Sequence, residues 1–327
     1  MALLGASLGS DGDPLATIEI SHKAVKLAGG VSSFPLSQST ISSYWIGRTQ
    51  ESIELSTEAV AHARAKNDPV FRMFVLEQLG LSLTAAGRYY EAERTFEEMR
   101  EFGRRYGVLP LLARGISMST SLPSALADFS RAKELALEAR DLARQVNFVP
   151  AVVSAGIDLL LIYARSHEPG RAEGLMEDVA RSVVNASGWH GWLWRLRLWQ
   201  ARAEIAYAEN DWNKAVEAAN QSVEESHARH RVKYEALGLA TRARARRELE
   251  QTPLAIEDVS RAVALARDLG DPAILIDTLA LQLTLDGDDA LASEAKRTVD
   301  QVLSKLSNPR LRKCFVESES VKLILRS

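Results

Sequence analysis

The chain has one cysteine, Cys314, in 327 residues. An internal disulfide framework is therefore impossible, and the usage fits a reducing compartment. No partner constellation surrounds Cys314, so it reads as a packing residue. Long apolar runs are also missing. The longest, AGIDLLLIYA, is broken by Asp158 and falls short of the roughly 18–20 residues that span a bilayer. The start, MALLGASLGSDGD, lacks the basic leader of a signal peptide. These absences point to the cytoplasm and to no membrane partner. Excess basic charge is absent as well. The net charge of −3 argues against generic or direct binding to nucleic acid.

Catalytic signatures are equally scarce. There is no G-x-S-x-G elbow, and His22, His62, His167, His190, His227 and His230 fall on solvated faces or turns. His227 and His230 have a spacing that could share a metal, but a pair at a helix end reads better as simply exposed. SDGD (Ser10 to Asp13) and DGDD (Asp286 to Asp289) lack the spaced ligands and closing Glu of a calcium loop, and read as turns. LAGGVSS (Leu27 to Ser33) has two glycines without a following Lys-Ser/Thr, and reads as a helix stop. No enzymatic activity, no metal and no cofactor is expected.

Repetition is what the sequence does contain. A length of 327 residues exceeds a single core of roughly 250–300. In QLGLSLTAAGRYYEAERTFEEM (Gln78 to Met99), two helical patterns flank a turn at Gly87. The first puts Leu76, Leu79, Gly80 and Leu83 on one stripe, the second Tyr89, Ala92, Phe96 and Met99. Spacings of three and four are the amphipathic helix period. Gly80 and Ala92 are small enough to let two helices approach closely. A small residue recurs at Ser52, Ala92, Ala132, Ala172, Ala215, Ala255 and Ala292, in steps of 40, 40, 40, 43, 40 and 37. The residue just before each first helix recurs at Pro69, Pro110, Pro150, then Gly191 and Val232 as weaker equivalents, then Pro272, in steps of 41, 40, 41, 41 and 40. Proline suits a helix's first turn and cannot continue the previous helix. Pro35 is expected to leave the helix over 36–44 weak, and Pro123 to mark a turn inside a repeat. Period-two alternation is nearly absent, so no sheet is expected.

This pattern resembles the tetratricopeptide repeat (TPR) family, on Leu79, Gly80, Leu83, Gly87, Tyr89, Ala92 and Phe96. The period exceeds the family's usual length of about 34 residues. It is similar to the long-repeat type found in MalT-like transcription regulators and in bacterial ATPase- and cyclase-linked arrays. The resemblance implies an all-α, right-handed superhelical solenoid of about seven helical hairpins with a C-terminal capping helix. A partial first repeat would occupy 1–30, repeats of about 40 residues 31–306, and the cap 307–327. In the cap, Leu311 and Phe315 would face inward and Arg310, Arg312 and Lys313 outward. A chain that starts inside a repeat would belong to a longer protein, or have that edge covered.

SGWHGWLWRLRLWQARAE (Ser187 to Glu204) holds four of the six tryptophans. At about 100° per residue, Trp192, Leu196, Trp199, Ala203 and Ala206 share one sector. Trp194, Leu198, Ala201 and Ile205 share the opposite one. A helix apolar on two faces is sandwiched, so the tryptophans are expected to cement one repeat to its neighbours, with Trp189 open. A thinner polar strip holds Arg197, Gln200 and Glu204, with Tyr207 adjoining. The resemblance implies that this strip lines the concave, partner-binding groove. The same register gives Leu237, Ala240, Arg244 and Arg247 in the next repeat. In the previous one it gives Ser154, Ile157, Leu161 and Ala164, and earlier Phe74, Glu77, Leu81 and Thr84. TRARARRELE (Thr241 to Glu250) reads as a solvated face partly paired with Glu248 and Glu250, or as an anion patch.

The expectation is a non-enzymatic module, sensor or docking domain, binding a protein or peptide in its groove. An acidic or amphipathic peptide would fit, by burying an anchor and pairing charge. Two alternatives stand beside it. One is the regulatory C-terminal region of a larger bacterial ATPase, cyclase, kinase or transcription regulator. The other is a scaffold for assembly. Ligand identity and oligomeric state stay open.

Overall fold

A computed structural model describes residues 9, 11–27 and 33–327. The glycine pair at 29–30, read above as a helix stop, lies outside them. Among the described residues every regular element is helical, and no helix is long and apolar enough to cross a membrane. A single helix α1 (Pro14–Leu27) precedes seven helical pairs. These are α2 (Ser33–Trp45) with α3 (Thr49–Ala65), α4 (Pro69–Ala85) with α5 (Tyr89–Tyr106), and α6 (Leu109–Ser119) plus the short α7 (Ser121–Ala125) with α8 (Phe129–Gln145). Next come α9 (Val149–Arg165) with α10 (Glu173–Val184), and α11 (Gly188–Ala208) with α12 (Trp212–Ala228). Then follow α13 (Val232–Glu248) with α14 (Thr252–Leu269), and α15 (Pro272–Asp286) with α16 (Asp289–Lys305). Helices α17 (Pro309–Glu317) and α18 (Glu319–Arg326) complete the chain.

The first six pairs each close through one left-handed residue: Gly47, Gly87, Ala127, His167, Asn210 or Glu250. An aspartate often follows such a residue and caps the next helix. Asp68 accepts from the Phe71 amide at 2.9 Å, and Asp128 from the Arg131 amide at 3.1 Å. Each cap satisfies an amide that the helix itself leaves unpaired. Within pairs, the small residues Ser52, Ala92, Ala132, Ala172, Ala215 and Ala255 are at most 1% exposed. At the same crossing, a Cβ on Gly80 would lie 2.5 Å from the Phe96 ring, so only glycine admits that ring.

Three expectations change in detail. In the last pair the fully buried small residue is Ala295, not Ala292, which restores the step from Ala255 to 40. Pro35 sits in the first turn of a regular α2, where its missing N–H is harmless. Pro123 is buried inside α7, and the turn falls at Ala127.

The array winds back on itself. Trp45 on α2 meets the ring edges of Trp189 and Trp192 on α11, at 5.9 and 5.2 Å. The Trp192 indole N–H donates to the Gly9 carbonyl at 3.0 Å. Gly47 abuts Val232 and Leu269, and Gly87 abuts Pro272. The terminal helices continue the series: Asn308 donates to Glu93 at 3.0 Å, and Arg310 pairs with Asp128 at 3.0 Å. One buried cluster accordingly joins residues of α2–α8 to residues of α13–α18, including Leu311, Phe315, Val321 and Ile324. The tryptophans thus divide differently from expectation. Trp192 is buried between windings and Trp194 against the preceding repeat, where it donates to the Ser154 hydroxyl at 3.1 Å. Trp199 packs within its own pair under the Arg202 guanidinium.

Candidate functional site

The first helices of the pairs stand side by side, and each neighbouring two share a polar contact. Thr40 on α2 donates to Gln78 on α4. Glu77 on α4 pairs with Arg114 on α6 at 2.7 Å. Ser117 on α6 donates to Asp158 on α9 at 3.0 Å, and Arg197 on α11 pairs with Asp158 from the other side at 2.5 Å. Arg165 on α9 holds Glu204 on α11 through two parallel bonds of 2.6 Å. Gln200 donates to Thr241 on α13, and Arg197 to the Tyr234 hydroxyl, both at 3.0 Å. Lys233 on α13 pairs with Asp271 at the start of α15, at 3.0 Å. These contacts form a continuous ladder from first helix to first helix, with charges of both signs on α9 and α11.

Because the array is wound, the ladder also faces itself. Arg165 on α9 and Arg244 on α13 both act electrostatically on Asp277 of α15. Asp277 is exposed to water, yet the surrounding protein pushes its carboxyl upward, with Ser320, Arg244 and Arg165 opposing. Burial also pulls the Glu204 carboxyl up, but Arg165, Gln200 and Arg244 together bring it below its ordinary value. Burial opposes the charge on Arg165, and Glu204 more than restores it.

The six residues singled out from the sequence are not equivalent in space. Arg197, Glu204 and Arg244 join the inner charges just described. Gln200 is fully buried, bonded to Glu204, Thr241 and Ser222, so it fixes the ladder without reaching solvent. Tyr207 meets Trp212 at 5.1 Å with the rings tilted, towards the second helix of its pair. Arg247 pairs with Glu248 and donates to the Thr284 hydroxyl at 3.1 Å, near the end of α13. The arginine-rich helix splits by face. Arg242 and Arg246 converge outward on the buried Asp258 of α14, at 2.6 and 2.7 Å, while Arg244 points to the inner side.

Asp158, Arg165, Lys233, Tyr234, Asp271 and Asp277 also line this side and were missed. On α9 the register was the cause. Ile157, Leu161 and Ala164 are buried among neighbours, and the inner charges come from Asp158 and Arg165. The earlier stripe of Phe74 and Glu77 does lie on the ladder, with the Arg114 guanidinium over the Phe74 ring at 4.2 Å.

No protein-family model matches the chain, and no curated protein sequence is significantly similar to it. Solved structures are similar in fold. A Rap protein complexed with Competence and Sporulation Factor has a TM-score of 0.67 at 16% identity, over 81% of this chain and 73% of that one. The TPR2AB domain of yeast Sti1 in its pHSP90 complex has a TM-score of 0.30 at 16% identity, over 90% and 97%. Yeast Tom70 has a TM-score of 0.30 at 12% identity, over 99% and 88%. The chain has the TPR-like helical-repeat fold.

Proposed function

We propose that the chain is a binding module that takes a protein segment or peptide along the inner side of its solenoid. The observation that carries this reading is the run of polar contacts between successive first helices, Glu77 with Arg114, Asp158 with Arg197 and Arg165 with Glu204, with Arg165 and Arg244 within electrostatic reach of the water-exposed Asp277. A wall with charges of both signs, already held by rigid helices, suits an extended ligand that carries charges and backbone amides of its own. Such preorganisation limits the ordering cost of binding. The Rap protein of similar fold was solved with Competence and Sporulation Factor bound, which adds support for a binding role. The sensor role, whether within a larger signalling protein or alone, is an extension of the same reading.

The test begins with a random peptide library selected on the intact chain. A selected peptide is expected to bind saturably, and Arg244→Glu to weaken it about tenfold or more while helicity is kept. Unchanged affinity in that variant would contradict the reading.

A further inference from the structure

Arg231 is the last residue of the turn between α12 and α13, and its side chain reaches the junction between windings. Only 4% of it is exposed. Its Nε and Nη1 are sealed from solvent and have no hydrogen-bond partner. The Trp45 and Tyr234 rings lie 5.5 and 5.3 Å from its guanidinium carbon. Burial pushes the group down to about 10, with Arg197 adding repulsion and the Tyr234 and Tyr44 hydroxyls opposing. It therefore stays cationic at neutral pH.

The neighbouring buried charges are all matched. Arg197 has Asp158 and Lys233 has Asp271. Among the described residues, three cations thus share two carboxylates, and Arg231 is the one left over. Aromatic faces attract a cation but accept no in-plane N–H bonds. A buried guanidinium held without an anion is costly, and cores do not retain one without compensation.

We propose that Arg231 anchors an oxyanion site between α2 and α13 that takes one carboxylate or one phosphate group. A guanidinium is a planar fork of donors, the geometry that carboxylate and phosphate accept in pairs; with Nε and Nη1 sealed here, an entering anion has to move the rings that cover them. Arg197 adds positive field, and Trp45 lies on the dry side. The partly exposed Tyr44 and Lys233 form the open side. The site does not require a peptide on the inner wall: a free anion and an anionic group carried by a larger ligand would be held by the same atoms.

The test uses the intact chain with inorganic phosphate alone and with acetate alone, at matched ionic strength. Calorimetric titration and thermal unfolding are the readouts. Saturable binding and a rise in Tm are expected for at least one anion, and which anion acts identifies the group. Arg231→Met is expected to fold, to unfold no earlier than wild type in anion-free buffer, and to lose affinity about tenfold or more. Arg231→Lys, which keeps the charge without the fork, should lose affinity too. Arg244→Met should bind these anions as wild type does, which separates this site from the peptide-binding reading. The proposal is overturned if neither anion binds wild type, or if Arg231→Met responds equally, which would mark a general salt effect.

Discussion

Glu77 lies fully buried on α4 with Arg114 at 2.7 Å. Burial nevertheless dominates, and its carboxyl is raised from 4.5 to about 7. Between those values the folded chain holds this proton more firmly than the unfolded chain does. The resulting stabilisation is complete below about 4.5 and is lost as pH rises through about 7. Glu77→Gln keeps the shape and removes the titration. Wild type should therefore lose about 1–3 kcal/mol relative to the variant across that interval, as measured by unfolding at a series of pH values. Parallel curves would mean that Glu77 is ionised throughout. Asp258 shows the contrasting case at the same scale. It is equally buried but accepts from two arginines on α13, so its charge is matched from two sides.

At the scale of the element, the turns govern the repeat. A left-handed backbone costs an L-residue roughly 1–2 kcal/mol, and Glu250 adopts one at φ 60° on an exposed turn. Glu250→Gly removes that cost at the expense of some unfolded-chain entropy. A net gain of about 0.5–1 kcal/mol is expected from denaturant unfolding; a loss would show that the turn is held by its side chain. These turns also explain what could be read in advance. The pairs, their period and the small interior residues are legible because helix crossings impose constraints within a few residues. Ala127, His167 and Glu250 carry no turn signature, so Pro123 drew the expected turn four positions early. On the inner side, Arg197, Glu204 and Arg244 follow from angular placement. Asp158 and Arg165 do not, because their contacts on α11 lie 39 residues away whereas the carried register set these two helices 43 residues apart. Four residues make about one helical turn, so the carried register names Ser154 and Leu161, one turn before Asp158 and Arg165.

For the whole molecule, winding is the property that no period announces. Trp45 and Trp192 are distant in sequence, and nothing local in either segment records that they meet. Trp45→Ala is expected to cost roughly 3–5 kcal/mol and to enlarge the radius of gyration measured by small-angle scattering. Trp194→Ala, which acts between adjacent repeats, should destabilise by a comparable amount without that expansion. Equal radii for both variants would place the closing contact elsewhere. Winding also brings Arg165, Arg244 and Asp277 together, and the account rests on that wall being where a ligand lies. Photo-crosslinking of a selected peptide to the intact chain, with mapping of the labelled residues, tests this most directly. Labels on α9, α11, α13 and α15 around Arg165, Glu204, Arg244 and Asp277 are the expected result. Labels confined to the second helices α5, α8, α12 and α14 would contradict it.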